Sequence, residues 1–233
     1  MQLYFTTELD YDIAFLEKSE SFHAAKVMRL RKGDEIYLTN GRGMMAKGVL
    51  IAAHPDSCEA RITERLEDFN KRTYFLHMAL SLPKNPERFE WFIEKATELG
   101  IDAITPVICE RSYKHNIRRD RAEKIIHAAA KQTKQPLFPV LNESITLQTF
   151  LQNNTSGEKI IAHCEPGNST SVFGLIQKGS HATVLIGPEG DFTEAEIQLS
   201  EQAGYQQCTL GQTILRTETA GLFICSAYRL LNI

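Results

Sequence analysis

Two glycine-bearing turns near the end of the sequence constrain this chain more than any other feature. The first follows the apolar run Val184-Leu185-Ile186 and reads Gly187-Pro188-Glu189-Gly190-Asp191-Phe192-Thr193. The second reads Thr209-Leu210-Gly211-Gln212-Thr213-Ile214-Leu215-Arg216-Thr217-Glu218-Thr219-Ala220. A β-branched, apolar run suits a strand buried on both faces, and Gly187-Pro188 stops it. Thr193 followed by Glu196 predicts a capping box, so a helix starts there. Ligands of open α/β sheets gather at the carboxyl ends of strands, where such turns lie. Two neighbouring turns of this kind therefore predict one pocket; the plainer alternative is a pair of routine strand-to-helix connections.

The turns match no familiar phosphate cradle. A Walker loop needs G-x-x-x-x-G-K-[ST], and neither turn contains lysine. The G-x-G-x-x-G dinucleotide fingerprint is also missing. What is left is a pocket of backbone donors and apolar side chains, with Glu189, Arg216 and Glu218 as the charges to explain.

Charge distribution narrows the partners. The net charge of the 233 residues is −3, which argues against a protein that coats nucleic acid indiscriminately. Residues 71–135 nevertheless carry 13 Lys and Arg against 8 Asp and Glu, while 1–70 carry 9 against 12 and 136–233 carry 4 against 9. A second basic cluster, His23, Lys26, Arg29, Arg31 and Lys32, lies in an acid-free stretch of the first third. Localised basic patches on an acidic chain suit docking on one structured polyanion, although a solvated face would look similar. The sequence has no 18-residue apolar run and no secretory pattern, so no membrane association and a cytoplasmic location are expected. Five widely spaced cysteines without a C-x-x-C pair indicate neither zinc nor a disulfide framework, and are expected to be buried thiols.

Residues 1–70 read as a small β-barrel domain. Tyr4-Phe5 opens a strand, Ser21 to Leu30 forms a helical turn with the basic cluster, and Glu35 to Thr39 alternates as a half-buried strand. Asn40-Gly41-Arg42-Gly43 signals a hairpin, with Met44 to Ala53 returning and Cys58 to Leu66 following. Glu67 to Lys71 reads as the linker. Residues 71–233 alternate strand and helix, the mark of a parallel sheet. Strands are expected at Tyr74 to Leu82, Ile104 to Cys109, Glu158 to His163, Val184 to Ile186 and Gln207 to Leu210. Asn85 caps a helix with Pro86 at its first position and Gly100 beyond its end. Trp91 on that helix reads as core packing rather than as a platform for a base. A run of Arg111, Lys114, Arg118, Arg119, Arg121 and Lys124 leads into a helix reaching about Lys134, and a last helix covers Thr217 to Leu231. His163, before the turn Cys164-Glu165-Pro166-Gly167-Asn168, reads as a satisfied polar residue, since no metal partner is spaced for it.

The two turns together closely resemble those of the bacterial 16S ribosomal RNA (uracil-N3) methyltransferases, of the SPOUT superfamily. Other motifs carry the same resemblance: His23-x-x-x-Val27-Met28-Arg29, Lys84 with Lys95-Ala96-Thr97-Glu98-Leu99-Gly100, and Glu110-Arg111-Ser112. Gln132 to Pro139 follows the family's Q-S-x-R-x-x-x-P pattern with Gln135 at the usual Arg, and Lys134 beside it. The resemblance implies an α/β domain whose parallel sheet ends in a trefoil knot, preceded by a PUA-like β-barrel that binds RNA. It implies S-adenosylmethionine as cofactor, 16S ribosomal RNA of the small subunit as partner, and a homodimer.

By the same analogy the cofactor lies against Ile186, Gly187, Pro188, Glu189, Gly190, Leu210, Gly211, Ile214, Leu215, Thr219 and Ala220. RNA contacts are expected from His23, Lys26, Arg29, Lys84, Arg111, Arg118, Arg119 and Lys134. Uracil N3 carries a proton at neutral pH, so its methylation needs a base or stabilisation of an anionic ring. Glu189 and Glu218 are candidate bases, and Arg216 can place positive charge beside the uracil carbonyls; carrying that charge in a pocket would cost desolvation. A structural ion pair of Arg216 with either glutamate is the competing reading. Two other functions remain open: a SPOUT ribose 2′-O-methyltransferase, whose final loop is usually Asn-rich, and a non-catalytic RNA-binding assembly factor.

Overall fold

A computed structural model describes residues 2–67, 69–113, 117–153, 156–164 and 170–233. Lys114 and the 165–168 part of the turn after His163 lie outside the described residues. The chain packs as two compact units, one of Met1–Lys71 with His127–Phe138 and one of Arg72–Ile126 with Pro139–Ile233.

The first unit holds β1 (Leu3–Phe5), β2 (Ile13–Leu16), α1 (Lys18–Phe22), β3 (Glu35–Thr39), β4 (Met45–His54) and β5 (Ser57–Leu66). They form one sheet in the order β1-β3-β4-β5-β2, parallel only between β1 and β3. Register shifts in β4 at Lys47/Gly48 and Leu50/Ala52 bend the long β4–β5 hairpin, as bulges do. Tyr4, Leu9, Ile36, Leu38 and Leu50 fill its core. The expected helical turn is α1 running straight into a π-helical His23–Val27, closed by Met28 N–H to the His23 carbonyl at 2.9 Å. Arg29 then takes φ +55, which breaks the helix and leaves Lys26, Val27, Met28 and Arg29 exposed. The segment His127–Phe138 belongs to this unit through Phe138 stacked on Phe5 (centroids 5.7 Å apart), an Arg42–Leu137 bridge and a Lys131–Glu20 ion pair. β2 went unforeseen, being four residues without a turn signal.

The second unit contains β6 (Phe75–Ser81), α2 (Pro86–Leu99), β7 (Ala103–Ile108), the first part of α3 (Arg119–Gln132), β8 (Val140–Leu141), β9 (Ile145–Thr146) and α4 (Leu147–Gln152). It continues through β10 (Glu158–Ala162), β11 (His181–Ile186), α5 (Glu194–Gln202), β12 (Gln206–Cys208) and α6 (Thr217–Leu231). The sheet order is β12-β10-β11-β6-β7-β8, with β9 also on β7, and every pairing is parallel. The capping chemistry is as the sequence predicts. Asn85 Oδ1 accepts from Glu87 N–H at 3.0 Å, Gly100 closes α2 at φ +96, and the Thr193–Glu196 box opens α5.

α2 and α6 pack closely. A Cβ on Gly221 of α6 would lie 2.6 Å from the Phe92 ring and 2.8 Å from Leu80, so only glycine lets the helices meet at this distance. Two expectations need correction. Trp91 is not core: it is 45% exposed, because Phe89, Phe92, Ile93 and Ala96 already supply the buried stripe of α2. Of the cysteines, Cys58, Cys109, Cys208 and Cys225 are buried, but Cys164 is exposed because β10 ends two residues before it.

Candidate cofactor and substrate site

Three parallel strands end side by side. Ala162 at the end of β10 is in register with Ile186 of β11 and with Cys208 of β12. The chain leaves all three in the same direction, and the space beyond their ends is a cavity of about 330 Å³, within the usual range for small-molecule sites. Ala162, His163 and Cys164 line it after β10, Ile186 to Asp191 after β11, and Thr209, Leu210, Gly211, Thr213, Ile214 and Leu215 after β12. Arg216, Thr217 and Ala220 of the α6 start complete it. Both turns singled out in the sequence thus meet in one pocket.

Of the residues expected around the cofactor, Ile186, Gly187, Pro188, Glu189, Gly190, Leu210, Gly211, Ile214, Leu215 and Ala220 all line this cavity, and Thr219 does not. Thr217 Oγ1 donates to the Gly187 carbonyl at 2.9 Å, latching one turn to the other. Asp191, at φ +59, accepts Cys164 N–H through Oδ2 and Phe192 N–H through Oδ1, both at 2.8 Å. Gly211 sits at φ +127, and a Cβ there would meet nothing within 4 Å. That position is open to the cavity and strained for any L side chain. His163 is buried, with Nε2 2.7 Å from Gln207 Oε1, as a satisfied polar residue should be.

The ion pair of the competing reading is not formed. Neither glutamate pairs with Arg216. Glu189 Oε1 accepts Lys84 N–H at 2.9 Å and lies 4.0 Å from Arg88 Nη1, while Glu218 Oε1 lies 3.7 Å from Arg88 Nε. Glu218 points into the α2–α6 packing, 5% exposed, and its Oε2 is buried without a hydrogen-bond partner among the described residues. Arg216 is exposed at the cavity edge, so it does not bear the desolvation cost expected of it. Among the described residues it makes no ion pair. Arg88 was missed because it lies more than a hundred residues from both partners, and only the fold brings them together.

The basic residues also sort unevenly. Arg111 Nη1 donates to the Gly190 carbonyl at 2.7 Å and to that of Phe192 at 3.3 Å, so it supports the first cavity turn. Arg119 binds Glu123, Glu143 and the Leu141 carbonyl. Lys84 holds its ammonium 5.1 Å from the Tyr113 ring centre. Arg118 lines a separate cavity of about 370 Å³ with Asn85, Pro86, Phe89 and Arg121. In the first unit Lys26, Arg29 and Lys134 are exposed and His23 is half-buried.

The cavity suits S-adenosylmethionine. Ile186, Pro188, Leu210, Ile214 and Leu215 offer apolar walls for an adenine, the glycine turns offer backbone groups at close range, and among the described residues no lysine lines the cavity. Comparison with known proteins agrees. The RNA methyltransferase domain family matches residues 70–229, and the RNA methyltransferase PUA domain family matches 16–63. The chain is 32% identical over 222 residues to the Ribosomal RNA small subunit methyltransferase E of Bacillus subtilis, covering 89% of this chain and 86% of that protein. The structure of a probable rRNA-methyltransferase from Porphyromonas gingivalis superposes with a TM-score of 0.92 at 30% identity, covering 100% and 98% of the two chains. That of the Neisseria gonorrhoeae Ribosomal RNA small subunit methyltransferase E, bound to S-adenosyl methionine, gives 0.86 at 28% identity with the same coverage. With a matching domain over most of its length and relatives of this likeness, the chain belongs to the RNA methyltransferase domain family and carries an RNA methyltransferase PUA domain ahead of that domain.

Proposed function

We propose that this protein uses S-adenosylmethionine to methylate N3 of a uridine in the 16S ribosomal RNA of the small subunit. The observation that carries this reading is the meeting of both glycine turns at three parallel strand ends, with Arg216 exposed on the edge. When bound, S-adenosylmethionine supplies an electrophilic methyl on a sulfonium, and the chain does the rest. The turns hold the cofactor through backbone groups and the apolar walls. Arg216, with no carboxylate paired to it among the described residues, stabilises the uracil ring as N3 loses its proton, the negative charge spreading over two carbonyl oxygens that a planar guanidinium can reach. That methyl would pass to N3 with the cofactor leaving as a neutral thioether, so the chain's task is to hold the deprotonated N3 toward it. Glu189, on the cavity wall, is better placed than Glu218 to accept the proton, since Glu218 faces α2.

In this reading residues 1–70 dock the RNA and residues 71–233 carry out the transfer. Exposed Lys26 and Arg29 beside exposed Val27 and Met28 support the docking role. The working form is a homodimer in the cytoplasm. Trp91 and Leu230, 45% and 70% exposed on α2 and α6, support a second copy. Incubating the purified protein with methyl-labelled S-adenosylmethionine and unmodified small subunits, then digesting the RNA to nucleosides, tests the reaction. Label in 3-methyluridine supports it; label in a 2′-O-methyl nucleoside, or none, refutes it.

A further inference from the structure

Three charged side chains from three parts of the second unit meet beside the cavity. Glu189 comes from the turn after β11, Glu218 from the first turn of α6, and Arg88 from the first turn of α2. One guanidinium thus faces one carboxylate from each cavity turn, at 4.0 Å and 3.7 Å. We propose that Arg88 is a positioning residue for methyl transfer, which ties the two turns together and sets the width of the S-adenosylmethionine site. The inference rests on the reading of that cavity as the cofactor site.

The two arms of this tie are unequal. Glu189 is 28% exposed at its side chain and also has the Lys84 N–H, so solvent and a backbone donor hold it without Arg88. Glu218 is 7% exposed at its side chain, and its Oε2 has no partner among the described residues. A buried carboxylate with one orphaned oxygen depends heavily on the cation beside its other oxygen. Loss of Arg88 therefore chiefly strands Glu218, at the second residue of α6. Directly before it stand Arg216 and Thr217, both on the cavity wall.

The helix that carries Arg88 is the fixed partner. Gly221 against Phe92 leaves α2 and α6 no room to approach further, and Asn85 caps the first turn of α2. The turn after β11, by contrast, is a loop, latched to the start of α6 by Thr217 Oγ1 on the Gly187 carbonyl. Arg88 supplies a second latch, made of charge. Arginine suits the task because its planar fork presents donors to two acceptors at once, which a lysine ammonium does less well.

Calorimetric titration of S-adenosylmethionine into Arg88→Ala, Arg88→Lys, Glu218→Gln and the double variant Arg88→Ala/Glu218→Gln tests the role, with melting temperatures recorded alongside. Arg88→Ala is expected to weaken binding by about 10- to 100-fold. Arg88→Lys should recover part of that loss. The double variant should bind better than Arg88→Ala alone, because a neutral amide does not need the cation. Should Arg88→Ala fail to fold, a several-fold weaker affinity in folded Arg88→Lys supports the same conclusion, and unchanged affinity there opposes it. Wild-type affinity in folded Arg88→Ala, or additive losses in the double variant, would overturn the proposal. Failure of the unaltered protein to bind S-adenosylmethionine would instead remove the cofactor reading itself.

Discussion

Arg216→Ala is expected to slow methyl transfer by about 10²-fold while leaving cofactor affinity and melting temperature nearly unchanged. The side chain is exposed, pairs with no carboxylate among the described residues and sits on the cavity edge. Its removal therefore costs the resting fold little. A unit charge about 4 Å from the developing uracil anion contributes about 1 kcal/mol in water and about 4 kcal/mol at an effective dielectric near 20. RNA seated over the edge excludes water and moves the value toward the second figure. A loss of about 2.7 kcal/mol is about 10²-fold in rate, in line with removal of one oxyanion donor elsewhere. The assay is single-turnover methylation of small subunits at saturating enzyme, across pH. The defect should shrink at high pH, where uracil is already losing its N3 proton. Wild-type turnover, or a loss explained wholly by weaker cofactor binding, would refute the reasoning and leave Arg216 as scaffolding.

Gly211→Val should abolish S-adenosylmethionine binding in a folded protein, since φ +127 disfavours a β-branched residue and its side chain would project into the open cavity; unchanged affinity by calorimetry would remove that turn from the site. Arg29→Ala should weaken RNA binding and flatten its log–log salt slope by about one, with cofactor affinity kept. Arg111→Ala should weaken cofactor binding as well, because Arg111 holds the Gly190 carbonyl; equal cofactor affinity in both variants would contradict the distinction. Cys164 should be the thiol alkylated first in the native protein, since burial pushes the Cys109, Cys208 and Cys225 thiols up to about 12. S-adenosylmethionine should protect it, as mass mapping of the label can check, because Cys164 lines the cavity.

Local chemistry made much of this fold legible. Asn85, Pro86 and Gly100 fix α2 within their own span, Thr193 and Glu196 start α5, and the alternation of Glu35–Thr39 gives β3 residue for residue. The pocket was legible for the same reason, since each turn is defined by its own glycine and the strand before it. Pairwise geometry at a distance was not. Nothing near Arg88 says that it faces Glu189 and Glu218, and nothing near Arg111 says that it donates to Gly190. Trp91 was misjudged because Phe89, Trp91, Phe92 and Ile93 are apolar around much of α2, which blurs the face that counts. The two-residue strands β8 and β9 are too short for any periodicity, and pairing with β7 alone defines them.

The central question is what happens to one uridine. Nucleoside mass spectrometry of 16S ribosomal RNA from cells lacking this protein, with and without the gene restored, measures that directly. The expected result is that 3-methyluridine disappears from a single position, returns with the unaltered protein, and does not return with Gly211→Val. Persistence of 3-methyluridine in the deletion strain, or loss of a ribose methyl group instead, would contradict it.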